Sequence, residues 1–258
     1  MMLAGRSAVV TGGGRGIGAA VARALAEAGA AVMVAARTAA EVEAVAAELT
    51  AAGHRAFGAV CDVTDAESVA ALAREAGARL GAVDILVNNA GVAPSAPLRS
   101  ITLESWNRTF AVNTTGTFLC TQAFVPGMVE RGWGRVVNVA SIAARAGASY
   151  IATYAASKHA VLGFTRSIAA ELAPSGVTIN AVCPGYVDTG MTEESVARIV
   201  AKTGISREKA AAAILATSPQ RRLLEPAEVA YLVVSLCHPL AKGVNGQALV
   251  VDGGSILS

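Results

Sequence analysis

Two side chains with complementary proton chemistry, Tyr154 and Lys158, occur four residues apart in an apolar stretch from Tyr150 to Ala173. Its apolar positions recur at helical spacing, so the stretch is predicted to be a helix. Residues four apart share one helix face, so the phenol and the ammonium can meet in one pocket. A cation beside a tyrosine favours the phenolate and is expected to lower its pKa from about 10. This pair suits proton transfer; the alternative is a core tyrosine beside a lysine that reaches out to solvent.

A glycine-rich stretch follows the first apolar run, Ser7–Thr11, which is predicted to be a buried strand. The stretch reads Gly12-Gly13-Gly14-Arg15-Gly16-Ile17-Gly18 and leads into an alanine-rich helical pattern that continues to Glu27. A strand, a glycine turn and a helix in this order are typical of a dinucleotide site, because the backbone can approach a pyrophosphate held at the helix N-terminus. The glycines are spaced G-x-x-x-G-x-G, which departs from the general G-x-G-x-x-G fingerprint.

Two arginines indicate which dinucleotide this site takes. The second predicted strand, Ala31–Ala36, is followed by Arg37, and Arg15 lies within the glycine loop. An acidic residue at this strand end would bind a ribose 2′-hydroxyl, whereas arginines would bind a 2′-phosphate through charge-assisted hydrogen bonds. No carboxylate stands at the strand end, so the arginine pair predicts NADP(H) in preference to NAD(H).

Polar residues follow the third and fourth predicted strands, Arg55–Val60 and Val83–Val87. Asp62 lies where ligands bind in open α/β sheets, and capping its own turn is the alternative role. The run Asn88-Asn89-Ala90-Gly91 places asparagines where they can tie neighbouring strands together, and a glycine where a cofactor can approach closely. Both strand ends are therefore candidates for contact with the cofactor.

Two further polar residues interrupt apolar segments. Asn113 lies at the end of a helical pattern that starts at Leu103. An asparagine inside a helix tends to bond nearby backbone groups, so it predicts a kink or a water site. Ser141 closes the fifth predicted strand, which starts at Gly134. Placed beside Tyr154, its hydroxyl could hold a substrate oxygen; an ordinary serine at a strand end is the alternative.

The spacing of apolar residues changes after the sixth predicted strand, Val177–Cys183, which is followed by Pro184-Gly185. From residue 186 to about residue 224, the apolar positions predict two short amphipathic helices joined near Gly204, with no strand. An insertion of this length is usually a lid or a binding loop. A rigid interface element between subunits is the alternative.

Length and composition predict a single α/β domain over residues 1–258, with a substrate-lid insertion at about 186–224. The chain is 53% hydrophobic and 16% charged, so a large core is expected. The net charge of +2 is too small to indicate nucleic acid, and the apolar runs are too interrupted to span a membrane. The four cysteines form no CxxC pair, the three histidines lack metal-ligand spacing, and the start lacks a signal peptide's apolar core. A reduced, cytoplasmic protein without a metal site is expected.

Taken together, these motifs resemble the short-chain dehydrogenase/reductase family over the whole chain. The residues that carry the resemblance follow the family's order and spacing: Thr11-Gly12-x-x-x-Gly16-x-Gly18, Asn88-Asn89-Ala90-Gly91, Asn113, Ser141, Tyr154-x-x-x-Lys158 and Pro184-Gly185. The glycine spacing that departs from the general fingerprint is this family's own. The resemblance implies a Rossmann-type, doubly wound, seven-stranded parallel sheet with helices on both faces.

The resemblance also implies a role for each residue of a catalytic set. Tyr154 would be the general acid in ketone reduction and the base in alcohol oxidation, and Lys158 would also bond the nicotinamide ribose hydroxyls. Ser141 would orient the substrate carbonyl, and Asn113 would hold a water that links Lys158 to solvent. The hydride would pass directly from the nicotinamide.

A larger set of residues is predicted to contact NADP(H). These are Gly12, Arg15, Gly16, Ile17, Gly18, Arg37, Asp62, Val63, Asn89, Ala90, Gly91, Tyr154, Lys158, Pro184, Gly185, Val187 and Thr189. Arg15 and Arg37 match the members of the family that prefer NADP. Members are commonly tetramers with the last strand and its helix at one interface, so a homotetramer is expected.

The expected substrate rests on the same resemblance. The chain resembles 3-oxoacyl reductases and polyketide ketoreductases, which implies reduction of a ketone or a 3-oxoacyl thioester. Family members that act on acyl-carrier-protein substrates use two surface arginines; here Arg131 is one residue off the first position and Ser175 occupies the second. CoA thioesters and free ketones therefore remain candidate substrates. One alternative is an NAD-linked secondary-alcohol or 3-hydroxyacyl-CoA dehydrogenase, and another is a non-catalytic NADP-binding sensor or scaffold.

Overall fold

The computed structural model describes residues 1–256 as one seven-stranded sheet flanked by α-helices. The strands are β1 (Ser7–Thr11), β2 (Ala31–Ala36), β3 (Ala56–Val60), β4 (Ile85–Asn88), β5 (Gly134–Val139), β6 (Val177–Pro184) and β7 (Ala248–Val251). The helices are α1 (Gly16–Glu27), α2 (Ala39–Ala51), α3 (Ala66–Leu80), α4 (Leu103–Phe110), α5 (Gly116–Glu130), α6 (Ala152–Leu172), α7 (Gly190–Thr203), α8 (Arg207–Leu215) and α9 (Pro226–Cys237).

Helices cover both faces of the sheet, so its central strands are apolar at nearly every position. Successive strand residues point to opposite faces, and on β1 Val10 packs with α1, α2 and α9 whereas Val9 packs with α3, α5 and α6. All the strand pairs are parallel. The predicted Rossmann-type class is therefore confirmed. Within residues 1–256, no helix combines the length and the apolar character needed to cross a bilayer.

The strand order, β3-β2-β1-β4-β5-β6-β7, reverses direction between β1 and β4. The chain leaves β1 toward β2 and β3 on one side and then returns to β4 on the other side. Loops that follow β1 and β4 therefore separate, and they open a crevice at the carboxyl edge of the sheet. The glycine loop after β1 and the segment after β4 border this crevice, which is where both were predicted to bind a ligand.

A chain of buried polar side chains joins the centre of the sheet to the helix layer. The Asn88 amide nitrogen donates to Asn138 Oδ1 at 2.9 Å and to Thr121 Oγ1 at 3.1 Å. Asn138 in turn donates to Thr165 Oγ1 on α6 at 2.8 Å. The prediction that an asparagine at the end of β4 ties neighbouring strands together is thereby confirmed.

Several predicted boundaries are wrong by a few residues, for local reasons. β4 starts at Ile85 rather than Val83, because the Asp84 carboxylate accepts the Ser7 N–H at 3.2 Å just before the strand. β5 ends at Val139 rather than Ser141. Ser141 instead caps a short 3₁₀ turn, where its hydroxyl accepts the Ala143 N–H at 3.1 Å.

The helical segments differ from the prediction at two places near the site. The helix from Leu103 is α-helical only to Phe110 and then forms a π-turn at Ala111–Thr115, so the irregularity predicted at Asn113 is confirmed. π-turns of this kind occur frequently at functional sites. α6 starts at Ala152 rather than Tyr150, which has a positive φ of 70°.

The insertion before α9 forms the two helices that were predicted. α7 ends at Gly204, whose left-handed conformation (φ 70°) closes the helix, and α8 follows. Val196, Ala210 and Ile214 pack against each other between the two helices and form a small core of their own. The insertion is therefore built around its own apolar contacts as well as resting on the sheet.

The buried asparagine chain yields a prediction about stability. Asn138→Ala leaves a donor on Asn88 and the Thr165 hydroxyl short of a partner inside the core. We expect it to lower the free energy of unfolding by roughly 2–4 kcal/mol, measured by urea denaturation. Asn107→Ala, at an exposed position of α4, is the control and should change it by less than about 0.5 kcal/mol. Equal urea midpoints for the two variants would contradict this account of the chain.

Candidate active site

The site begins where the ends of β1 and β4 are bonded together. The Thr11 hydroxyl accepts the N–H groups of Asn89 at 3.1 Å and Ala90 at 3.2 Å. The Asn89 amide returns bonds to the carbonyl oxygens of Thr11 and Gly12, both at 3.0 Å. The glycine loop is therefore held to the segment after β4 by four hydrogen bonds at the reversal point of the sheet.

Three glycines of this loop are at positions that disfavour a side chain. A Cβ on Gly12 would lie 2.9 Å from the Ala90 Cα, and one on Gly18 would collide with the Gly12 carbonyl oxygen. Gly16 has a φ of 53° and faces the Thr189 side chain. The loop therefore packs tightly on its neighbours, and Gly16 and Ile17 line a cavity at the start of α1, where a helix N-terminus favours a phosphate.

A cavity of about 740 Å³ follows the carboxyl edge of the sheet. Eleven residues of the predicted cofactor set line it, namely Gly12, Arg15, Gly16, Ile17, Arg37, Asp62, Val63, Asn89, Ala90, Gly91 and Thr189. The fold thus brings together residues that lie as much as 177 positions apart, from Gly12 to Thr189. The cavity also continues past Gly91 to Pro94, Met191 and Arg198, which belong to the segment after β4 and to α7.

Six residues of the predicted cofactor set do not line the cavity, namely Tyr154, Lys158 and the four that follow. Gly18 packs on the Gly12 carbonyl, and Gly185 packs on Asp252. Pro184 is paired with β7, and Val187 is 4% exposed and bridged to Leu224. These residues shape the backbone around the site, and their direct contact with a cofactor stays a prediction.

The end of the cavity near β2 carries three charged side chains. Arg15 and Arg37 are both exposed there, as predicted from the sequence. Glu41, in the first turn of α2, lines the same cavity and packs over Gly14, where a Cβ would lie 2.7 Å from the Glu41 Cβ. The strand end itself lacks a carboxylate, but the following helix supplies one. Its position one helical turn after Arg37 is the signal that could have identified it.

Asp62 combines the two roles that the sequence left open. Its Oδ1 accepts the Thr64 N–H at 2.9 Å and the Thr64 hydroxyl at 2.8 Å, so it caps its own turn. It also lines the cavity. The Thr64 N–H lowers the pKa of the Asp62 carboxyl most, and the positive charge of Arg37 lowers it further. The carboxylate is therefore ionised at neutral pH.

Lys158 is almost fully buried, with 5% of its surface exposed. Its ammonium donates to the Val139 carbonyl oxygen at 2.8 Å, and its Nζ lies 5.9 Å from the centre of the Tyr154 ring. Burial lowers the pKa of Lys158 to about 8. A Cβ added to Gly91 would lie 3.6 Å from the Lys158 Nζ, so the lysine stands directly behind the cavity wall.

The pKa of Tyr154 is raised by burial, while the neighbouring Ser141 hydroxyl acts in the opposite direction. The prediction that Lys158 lowers this pKa is therefore wrong for the chain itself. The ammonium is directed at Val139 and lies several ångströms from the phenol, so the loss of hydration dominates. Ser141 and Tyr154 are nevertheless brought together, as predicted.

Asn113 is 1% exposed, and its side-chain amide is used by hydrogen bonds to protein groups. Its Oδ1 accepts the Val92 N–H at 2.8 Å, and its Nδ2 donates to the Val92 carbonyl at 2.9 Å and to Ser157 Oγ at 2.9 Å. Gly91 lies beside both Asn113 Oδ1 and Lys158 Nζ. The four residues of the predicted catalytic set thus lie on adjacent elements, and the role of Asn113 in holding a water stays a prediction.

The buried lysine predicts a specific dependence of stability on pH. The pKa of Lys158 is about 8 when folded and near 10.5 when unfolded, so between these values the unfolded chain binds more protons and stability rises with pH. Relative to Lys158→Met, the wild type should gain about 3 kcal/mol of unfolding free energy across this range. The cysteines and Tyr154 titrate in both proteins, so their contributions largely cancel in the difference, except that the pKa of Cys183 also loses the influence of the Lys158 charge. A difference that stays constant from pH 7 to pH 11 would contradict the assignment.

Comparison with known proteins places this geometry in a family. The family model described as short chain dehydrogenase matches residues 6–199. A cis-4-hydroxycyclohexanecarboxylate dehydrogenase of Sinomonas cyclohexanicum is 43% identical over 250 residues, which cover 96% of each chain. A 3-oxoacyl-(acyl-carrier-protein) reductase of Vibrio harveyi is 37% identical over 98% of each chain.

A solved structure shows the same architecture. An actinorhodin polyketide ketoreductase variant, crystallised with NADPH, superimposes with a TM-score of 0.94 over 97% of both chains, at 40% sequence identity. The family match, the identity over nearly the whole chain and the superposition agree with one another. This chain is an oxidoreductase of the short-chain dehydrogenase family.

Proposed function

We propose that this chain uses NADPH to reduce a ketone or a 3-oxoacyl thioester to a secondary alcohol. One observation carries the proposal: a single cavity runs from Arg15 and Arg37 to Gly91, and Lys158 stands directly behind Gly91. The sheet order puts the ends of β2, β1, β4 and β5 side by side along this edge. A phosphate-binding region and a proton-transfer group are therefore aligned along one ligand-sized groove.

The residues present fit a nicotinamide dinucleotide. Gly12, Gly14 and Gly16 of the glycine loop line the cavity, and α1 begins at that point. Arg15 and Arg37 offer guanidinium groups for a 2′-phosphate. When bound, NADPH supplies the hydride for reduction. The protein's own contribution is to orient the substrate, exclude water and provide the proton.

Tyr154 is the proton donor in this proposal. Because burial raises its pKa, the phenol is protonated at neutral pH and can donate to a substrate carbonyl oxygen. The Ser141 hydroxyl lies beside it and can donate a second hydrogen bond to the same oxygen. The carbonyl carbon gains the hydride and its oxygen gains the Tyr154 proton, so a ketone becomes a secondary alcohol and Tyr154 becomes a phenolate.

Lys158 is suited to support that phenolate. Its pKa of about 8 leaves it mostly charged at neutral pH and close to releasing a proton. A cation near the phenolate stabilises the charge that appears during the reaction, in a region of low dielectric constant. Asn113 fixes the wall beside Lys158 through its paired bonds to Val92. The proposed water held by Asn113 would complete the route by which the proton is replaced.

Glu41 supports a second candidate function. A carboxylate at the ribose end accepts hydrogen bonds from a 2′-hydroxyl and repels a 2′-phosphate. An NAD-linked secondary-alcohol dehydrogenase would use Glu41 in this way, with Tyr154 as the base. Arg15 and Arg37 line the same cavity as Glu41 and Asp62, and in our proposal the two guanidinium groups bind the 2′-phosphate of NADPH.

The substrate is proposed to be a free ketone or a CoA thioester. Arg131, the nearest candidate for contact with a carrier protein, donates to the Val83 carbonyl at 2.6 Å. Val83 precedes β4, so this contact lies at the amino edge of the sheet, opposite the cavity. The Ser175 hydroxyl is bonded to the Leu172 carbonyl at 2.7 Å. Neither residue therefore provides a cation at the mouth of the site.

The insertion at about 186–224 is proposed to be the substrate lid of a single domain over residues 1–258. Gly190, Met191, Glu194 and Arg198 of the insertion line the cavity, and Met191 is 40% exposed. These positions support contact with the substrate on the side opposite the catalytic set. The rigid interface element is the competing interpretation.

Assembly and compartment complete the proposal. A homotetramer is supported by the exposed Tyr231 and Leu240 on and after α9, which are 75% and 83% exposed in the single chain. The four cysteines are buried free thiols, which fits a reduced, cytoplasmic setting.

The proposed proton donor is tested by removing one hydroxyl. Tyr154→Phe should lower kcat for an activated ketone by about 10²- to 10⁴-fold while leaving the Kd for NADPH nearly unchanged. Tyr231→Phe makes the same chemical change on the exposed side of α9 and should retain activity. Wild-type turnover by the Tyr154 variant would refute the proposed chemistry.

The proposed cofactor choice is tested at the end of β2. Arg37→Asp should weaken NADPH binding by roughly 10- to 100-fold, because a charge-assisted hydrogen bond is replaced by repulsion, and it should affect NADH much less. Arg74→Asp makes the same charge change on the exposed side of α3 and controls for net charge. Kd values for both cofactors are measured by fluorescence titration. An unchanged ratio of the two Kd values would rule out this role for Arg37.

A further inference from the structure

Two cations on α7 reach across the cavity to the segment after β4. Arg198 Nη2 donates to the Ala93 carbonyl at 3.0 Å and also donates to Ser195 Oγ at 2.9 Å. Lys202, one helical turn further on, donates to the Ser95 carbonyl at 2.9 Å. Residues four apart share a helix face, so both side chains hold the same stretch, residues 92–97, against the insertion.

The stretch held by α7 is bonded directly to the catalytic region. At one end Val92 exchanges two hydrogen bonds with the Asn113 amide, at 2.8 Å and 2.9 Å. At the other end the Ala96 N–H donates to the Tyr150 carbonyl at 2.8 Å, just before α6. The insertion is therefore hydrogen-bonded to residues 92–97, and this segment is attached at both ends to the elements that carry Tyr154 and Lys158.

The bonds continue from Asn113 to Tyr154 itself. Asn113 Nδ2 donates to Ser157 Oγ at 2.9 Å, and that hydroxyl donates to the Tyr154 carbonyl at 2.7 Å. Asn113 lies in the π-turn, where the helical backbone is irregular. Side-chain hydrogen bonds therefore help to fix the position of Asn113. The path from α7 to the first turn of α6 consists of hydrogen bonds between named groups and the backbone link between Ala93 and Val92.

Only some of the hydrogen-bond donors of the Arg198 guanidinium have partners in this position. Its Nε is buried and has no hydrogen-bond partner among the described residues, and its Nη1 lies 4.0 Å from Glu194. A buried N–H without a partner costs free energy, so the Nε of Arg198 offsets part of the stabilisation from the Arg198–Ala93 hydrogen bond. The contact between Arg198 and Ala93 is thus one that the protein can release, as an insertion that admits a substrate requires.

We propose that Arg198, assisted by Lys202, is a positioning residue that latches α7 onto residues 92–97 and so holds Asn113 and the start of α6 in their reactive arrangement. The proposal rests on the proposed function, because it concerns the lid of that same site. When the latch is closed, as in this structure, Arg198 is bonded to Ala93 and the Asn113 bonds to Val92 are formed. When it opens, the segment that carries Val92 loses its support from α7.

The test compares variants by hydrogen exchange and by kinetics. Arg198→Met removes the donors but keeps an unbranched side chain, and Arg198→Lys restores one donor. The control is Arg207→Met, which breaks the ion pair between α8 and Glu193 of α7 and leaves the latch intact. The reporters are the amides of Val92 and Ala96, which are hydrogen-bonded to Asn113 and Tyr150.

Arg198→Met should speed exchange at these two amides by about tenfold and lower kcat/KM by a similar factor, with the Kd for NADPH within about twofold of wild type. Arg198→Lys should recover most of both effects. Arg207→Met should speed exchange within the insertion alone and leave kcat/KM near wild type.

Three outcomes would overturn the proposal. Unchanged exchange at Val92 and Ala96 in Arg198→Met would show that α7 does not hold the segment. Equal effects of Arg198→Met and Arg207→Met would show a general loss of lid stability rather than a latch. Faster exchange with unchanged kcat/KM would show that the contact does not position the site. The exchange measurements need no turnover, so failure of the latch is distinguishable from failure of the proposed reductase activity.

Discussion

The hydroxyl of Thr11 supports the junction on which the rest of the site depends. β1 and β4 are neighbours in the sheet, yet the chain departs from their carboxyl ends in opposite directions. The N–H groups of Asn89 and Ala90 would lack strand partners at this point, and Thr11 Oγ1 accepts both. The Asn89 amide satisfies the carbonyl oxygens of Thr11 and Gly12 in return. A crevice can therefore open here without leaving buried backbone groups unpaired, which would be costly.

Burial decides the proton chemistry more strongly than the pairing of charges. Loss of hydration favours the neutral form of each group, so it raises the pKa of Tyr154 and lowers the pKa of Lys158. The two pKa values, which are close together in the free side chains, consequently move apart, with that of Tyr154 above its ordinary value and that of Lys158 at about 8. The phenol therefore keeps the proton that it donates in the proposed reaction, and Lys158 is the group of the two whose pKa lies nearer to neutral pH, where proton transfer is most efficient.

The sequence predicted the elements of the site well because its signals are local. Strands buried on both faces are continuous apolar runs, and the glycine loop and the Tyr154–Lys158 spacing each lie within one short segment. The sign of the Tyr154 pKa shift was missed because it depends on how deeply the fold buries the phenol. Arg198 was missed because its partner, Ala93, is 105 positions away in the chain. No periodic pattern reports a contact between a side chain and a backbone carbonyl at that separation.

The way the insertion is built explains how it could move without unfolding the domain. Its helices pack on each other through Val196, Ala210 and Ile214, which form a cluster separate from the clusters on the sheet. Displacing α7 and α8 together would keep this apolar surface buried and would exchange mainly the polar contacts of Arg198 and Lys202 for contacts with water. Such an exchange costs little, because the net contribution of a hydrogen bond to stability is only about 0.5–1.5 kcal/mol. The proposed lid thus separates the apolar contacts that preserve its shape from the polar contacts that set its position.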